Sequence, residues 1–97
     1  MNYTLHPGAS EDLNDACKHY RVRASGRVVV RFLDEFERAA KLLAREPGLG
    51  TPTDDDRAAY PLHGFPYTVI FKPTEPGIRI LVLRHQHRDP QHGEGRR

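Results

Sequence analysis

Two runs of β-branched and aromatic residues, Tyr67 to Lys72 and Ile78 to Arg84, flank the turn sequence Pro73-Thr-Glu-Pro-Gly77. No other feature limits the fold as much, because such a pair separated by such a turn reads as a β-hairpin. The second strand runs without a break into Arg84-His-Gln-His-Arg-Asp-Pro90, which carries two arginines and two histidines to the mouth of the sheet. The rest of the chain reads as support for this stretch.

Upstream, Asn2 to His6 alternates as a short strand, with Tyr3 and Leu5 on one side and Pro7-Gly8 ending it. Ser10 stands where a helix N-cap belongs, with Glu11 and Asp12 in a first turn that favours negative charge. Leu13, Ala16, Cys17 and Tyr20 then form one apolar stripe, while Asp12, Asn14, Asp15 and Lys18 face away. Ser25-Gly26 allows a turn, and from Arg27 a longer periodic series follows: Val29, Phe32, Leu33, Phe36, Ala39, Ala40 and Leu43, ended by Pro47-Gly48. Two helices so closely joined form an antiparallel hairpin. Arg31, Asp34, Glu35, Arg38, Lys41 and Arg45 read as a solvated outer face with i, i+4 pairs such as Arg31–Glu35 and Asp34–Arg38. Leu49 to Asp56 is a loop whose three carboxylates read as a solvated turn, since no calcium-loop spacing follows them. Arg57 to Leu62 is an early strand with Pro61 at an edge or bulge. The expected architecture is α+β, in the order β-α-α-β-β-β, with the helical hairpin on one face of a small, mainly antiparallel sheet.

Length and composition agree with one domain over residues 1–90 and a disordered tail over 91–97. The chain has 97 residues, 37% hydrophobic and 29% charged, with a net charge of +2, too little by itself to argue for nucleic acid. Cys17 is the only cysteine, which excludes an internal disulfide and a cysteine-based metal cage and reads as a packed core thiol. No stretch has the apolar length of a membrane span, so no membrane partner is expected and the cytoplasm is the expected compartment.

The order of elements, Asp12-Leu13, Arg31-Phe-Leu-Asp34, Glu46-Pro-Gly-Leu-Gly50, Gly64-Phe-Pro-Tyr67 and Arg84-His-Gln-His-Arg-Asp-Pro90 together resemble the RelE/ParE family of bacterial type II toxins over residues 2 to 90. The resemblance implies a growth-arresting toxin held by a cognate antitoxin, with operator DNA bound only through that antitoxin, and no cofactor. It also implies one of two targets. The ParE-like branch poisons DNA gyrase and is tied to plasmid stabilisation; the RelE-like branch cuts messenger RNA on the ribosome.

RNA cleavage through the 2′-hydroxyl needs a base, cationic groups on the phosphate and an acid for the leaving oxygen. Arg57, Arg79 and Arg84 are candidate clamps, His85 and His87 candidate base or acid, and Arg88 completes the catalytic or target-contacting set. Pro66 stands where the RelE-like pattern has an arginine, which favours the ParE-like branch, with the nuclease as alternative and an inactive antitoxin-binding module as a third reading. His85 and His87 at i and i+2 could chelate a metal only with His92 as third ligand, and no metal site is expected. Tyr60 and Tyr67 could stack on bases but read as core. Arg79 and Arg84 have opposite parity on their strand, so at most one of them faces the helices, and that one must snorkel or pair.

Overall fold

The computed structural model describes residues 2–54 and 56–97. Its elements are β1 (Tyr3–Leu5), α1 (Pro7–Arg23), α2 (Gly26–Arg45), a 3₁₀ turn (Pro47–Leu49), β2 (Thr51–Pro52), β3 (Ala58–Pro61), β4 (Tyr67–Pro73) and β5 (Ile78–His85). The architecture is α+β as expected, with the two-residue β2 as an additional edge strand. The sheet order is β1-β5-β4-β3-β2, parallel between β1 and β5 and antiparallel elsewhere. Asp55, the middle carboxylate of the loop read as a solvated turn, lies outside the described residues.

Both helices begin differently from expectation. α1 starts at Pro7, not after Ser10, because proline's fixed φ suits the first helical position and the His6 Nδ1 accepts the Gly8 N–H at 2.9 Å. Ser25, read as part of a turn, is the N-cap of α2, its Oγ accepting from the Val28 N–H at 3.3 Å. On α2 the core stripe runs through Phe32, Phe36, Ala39, Ala40, Leu43 and Ala44, while Leu33 is 38% exposed. The pairs on its outer face also differ: Arg38 donates from Nε and Nη2 to both carboxylate oxygens of Glu35, each at 2.7 Å, and Lys41 pairs with Glu37. A third Glu35 bond, from the His63 N–H at 2.8 Å, ties α2 to the connection entering β4.

The helices bury the face of the sheet formed by Tyr67, Val69, Phe71, Ile78, Ile80 and Leu83. At one end Tyr20, Phe32, Phe65 and Tyr67 make an aromatic cluster, with Phe32 5.2 Å from Phe65 and 5.4 Å from Tyr67 between centroids. Tyr67 is thus core, as read. Ile70, Leu81 and Val82 form a separate small cluster on the opposite face.

The division between faces depends on a β-bulge. Ile70 pairs with Val82 but Phe71 pairs with Ile80, so Leu81 is an extra residue in β5. Without it, alternation would send Arg79 and Arg84 to opposite faces. With it, Arg79 lies across from Lys72 and Arg84 across from Thr68, both on the face away from the helices. At most one of the two arginines was expected to face the helices; neither does, because of that single bulged residue.

Residues 91–97, for which the sequence predicts disorder, fold into successive turns closed by His92 N–H to Asp89, Glu94 N–H to Gln91 and Arg96 N–H to Gly93. They lie over the open face, with Gly93 at φ +78 so close to Val82 that a Cβ would come within 2.5 Å of its Cγ2. Glycine is required there both for the left-handed backbone and for the approach.

Candidate functional site

β1 is three residues long and β5 eight, so beyond Ile80 the outer edge of β5 has no strand partner. Its exposed main-chain groups are satisfied by side chains instead. Asp12 accepts the Leu83 N–H at 3.1 Å and Arg96 donates to the Leu81 carbonyl at 3.0 Å. The two side chains also meet each other: Arg96 Nη1 lies 2.7 Å from Asp12 Oδ2, and His92 Nε2 lies 2.9 Å from Asp12 Oδ1. Asp12 was expected on the solvent side of α1, yet it is buried. It shares a face with Ala9 and Ala16, at i−3 and i+4, and these small residues let α1 approach β5 closely enough for a carboxylate to reach the strand. Burial by itself pushes the Asp12 carboxyl up; the hydrogen bonds from Arg96, His92 and Leu83 outweigh it and hold the group below the usual aspartate range.

On the open face Arg57, Arg79 and Arg84 all donate to main-chain oxygens of the C-terminal segment. Arg84 reaches the Pro90 oxygen at 2.8 Å and Arg79 that of Arg97 at 3.1 Å. Arg57 reaches Gly93 at 3.3 Å, Arg96 at 2.5 Å and also Glu94. Three of the six candidate residues are therefore brought together, on one face and beneath the tail.

The other three lie elsewhere. His85 is opposite Tyr67 on the helix-covered side, its ring edge-on to the tyrosine at 5.0 Å, and it lines a cleft with Asp15, His19, Tyr67 and Arg88. The His87 ring is 5.4 Å from that of His85, and the His87 N–H donates to His85 Nδ1 at 3.1 Å. Burial, then the neighbouring His87 and His19, lowers the His85 pKa. The strand ends at His85, so His87 and Arg88 project from the following turn and are exposed. His92, considered as a third metal ligand, points at Asp12, and among the described residues no group of three or more His, Cys, Asp or Glu is placed to hold a metal ion.

Sequence reasoning missed Asp12, Arg96 and His19. A signal for Asp12 was present in the spacing Ala9, Asp12, Ala16, a small-polar-small row beside the apolar stripe. Arg96 had none, because its role follows from a tail that composition reads as unstructured.

The geometry defines a small α+β domain with a helical hairpin on one face of its sheet and a row of arginines on the other. Against family models, residues 3–90 match the ParE toxin of the type II toxin-antitoxin system, parDE, and the chain belongs to that family. Among solved structures it is similar to the chromosomal ParDE toxin-antitoxin system from P. aeruginosa, with a TM-score of 0.75 at 20% identity, over 88% of this chain and 95% of that one. At that identity the likeness speaks for the fold. Among curated protein sequences none matches.

Proposed function

We propose that this toxin, neutralised by a cognate antitoxin, arrests growth by poisoning DNA gyrase. The observation that carries the reading is the separation of the candidate groups by the sheet: Arg57, Arg79 and Arg84 on the open face, His85 on the other. Metal-free RNA cleavage needs the phosphate clamps and the proton-transfer groups around one phosphate. Arginines already donating to main-chain oxygens across the sheet from His85 do not meet that need. The surface left for a macromolecular target is the exposed exit of the hairpin, Gln86 to Asp89. Pro66, which supports the approach to β4 by accepting the Gln86 N–H at 2.9 Å, fits the same branch. Operator DNA is reached only through the antitoxin, and the antitoxin is the one obligatory partner.

A supercoiling assay with purified, antitoxin-free protein, scoring trapped cleaved DNA, tests this. Inhibition is expected from the unaltered chain and is expected to be lost in His87→Ala/Arg88→Ala. A folded sample without effect on gyrase would sink the reading.

A second reading, ribosome-dependent cleavage of mRNA, is favoured by one observation: Arg88, His19, His85 and Tyr67 do line one cleft, with His87 beside His85. Transcript cleavage in a translation extract, lost in His85→Ala, would select it. Absence of both activities with antitoxin binding intact would select an inactive binding module.

A further inference from the structure

The cleft between α1 and the exit of the hairpin has a volume of about 350 Å³, at the small end of ligand-binding cavities. Ala16 on the helix and Leu83 on the strand, both buried, give it an apolar floor. The groups above that floor are polar and unpaired. Tyr67 is a core residue at 9% exposure, yet among the described residues its hydroxyl, on the side of the cleft, has no hydrogen-bond partner. Buried phenols ordinarily have one. Burial raises the Tyr67 pKa most; among the smaller effects Arg88 pulls it down and Asp15 pushes it up, so both charges stand near the phenol. Asp12, in the same wall, is occupied by Leu83, Arg96 and His92. Asp15, one turn further along α1, and the Arg88 guanidinium form no ion pair among the described residues. His85 accepts the His87 N–H at Nδ1, and its lowered pKa leaves the ring neutral at pH 7, so its one proton sits on Nε2 as a donor.

The cleft thus presents an acceptor-only carboxylate from the helix and a planar fork of donors from the turn after β5, beside the rings of His85 and Tyr67. A phosphate would find the arginine but meet the Asp15 carboxylate. A flat ring with two adjacent donors on one edge and two acceptors on another satisfies both groups, and the aromatic side chains suit its faces. Among nucleic-acid bases only guanine has that pattern: N1–H and the 2-amino group toward a carboxylate, O6 and N7 toward an arginine. Adenine and cytosine put ring acceptors where guanine has N1–H, and uracil has a single N–H between two carbonyls. We propose that this cleft binds an unpaired guanine base, with Asp15 accepting from N1–H and the 2-amino group, Arg88 donating to O6 and N7, and the Tyr67 hydroxyl gaining the partner it lacks. The site goes beyond the gyrase reading and does not rest on it: its test contains neither gyrase nor ribosome.

The probe is guanosine monophosphate, titrated calorimetrically into the full chain beside the inosine, adenosine and xanthosine monophosphates, which carry the same phosphate. Inosine lacks the 2-amino group and is expected to bind ~tenfold more weakly, and adenosine not measurably. Asp15 is exposed, so Asp15→Asn keeps the fold while turning one of the two acceptors into a donor. Guanosine binding is expected to fall ~tenfold in that variant, and xanthosine, with an oxygen at C2, to become the tighter ligand. A structural role for Asp15 would not exchange the two. Arg88→Lys keeps the charge without the fork and is expected to weaken guanosine binding ~tenfold. A short pyrimidine strand carrying one guanosine separates the sources: tighter binding than the mononucleotide assigns the base to a single-stranded nucleic acid, weaker binding to a free nucleotide. The proposal is overturned if none of the nucleotides binds, if all bind alike, if inorganic phosphate displaces them, or if Asp15→Asn still prefers guanosine to xanthosine.

Discussion

At Asp12 three donors converge on one carboxylate: the Leu83 N–H, Arg96 and His92. Asp12→Ala leaves Arg96 half-buried without its anion and the Leu83 N–H without an acceptor. The expected loss is about 3 kcal/mol, typical for removing one partner of a buried charged network, read from urea denaturation. The sign of its pH dependence follows from the lowered pKa. A carboxyl depressed in the folded state contributes fully above its unfolded value of roughly 4, and that contribution fades as pH falls through the folded value. The stability gap between the unaltered chain and Asp12→Asn should therefore narrow below about pH 4; a gap constant with pH would contradict the assignment. His6 offers a second titration, at higher pH. Its pKa is lowered by burial and by the nearby charges of Arg79 and Arg96, against an opposing effect of Asp12. The neutral ring caps α1, so stability is present above the unfolded value of roughly 6.5 and declines as pH falls below it. His6→Asn keeps an acceptor at the cap and is expected to flatten denaturation midpoints between roughly pH 7 and pH 5.

Among the elements, β5 shows most sharply what a sequence conceals. Both helices and the hairpin were legible, because periods of 3.6 and 2 in apolar residues are written directly by which face is buried. The faces of β5 were not, because Ile80, Leu81, Val82 and Leu83 are all apolar and all buried, so alternation is silent over the very residues where the bulge sits. The bulge is legible afterwards only through its effect, two arginines of opposite parity on one face. Deleting Leu81 removes the extra residue and brings Val82 next to Ile80, so a regular strand keeps every remaining side chain on its present face, with Arg79 and Arg84 both on the open side. What is lost is the buried Leu81 side chain from the small cluster with Ile70 and Val82. Unfolding is expected to stay cooperative with a loss of about 2–4 kcal/mol in urea denaturation, and collapse of cooperative unfolding would show that the bulge itself is needed to hold the two faces apart. The edge beside it makes a milder test. A Cβ on Gly77 would overlap the Asn2 carbonyl, which accepts the Ile78 N–H and so begins the β1–β5 ladder. Gly77→Ala is expected to loosen β1 alone, seen as faster exchange at the His6 amide that bonds Ile80, with the β4–β5 amides unchanged.

Across the whole molecule, the tail turns an open two-layer fold into one whose sheet is covered on both sides. Residues 91–97, read from composition as a disordered tail, instead supply the partners of a buried carboxylate on α1. The contact joins positions far apart in the chain, and no local pattern can announce it. Its energetic meaning can be isolated with a double-mutant cycle. A chain cut after Pro90 keeps every helix and strand but strands Asp12 with the Leu83 N–H as its remaining donor, so a loss of about 2–3 kcal/mol is expected. In that background Asp12→Asn removes a charge that has lost its counter-ions, and the substitution that weakened the full chain becomes neutral or stabilising. A coupling of about 1–3 kcal/mol between the truncation and Asp12→Asn is expected from denaturation midpoints. Additivity would instead mean that the tail covers the sheet without being held by α1, and that the arginine row alone keeps it in place.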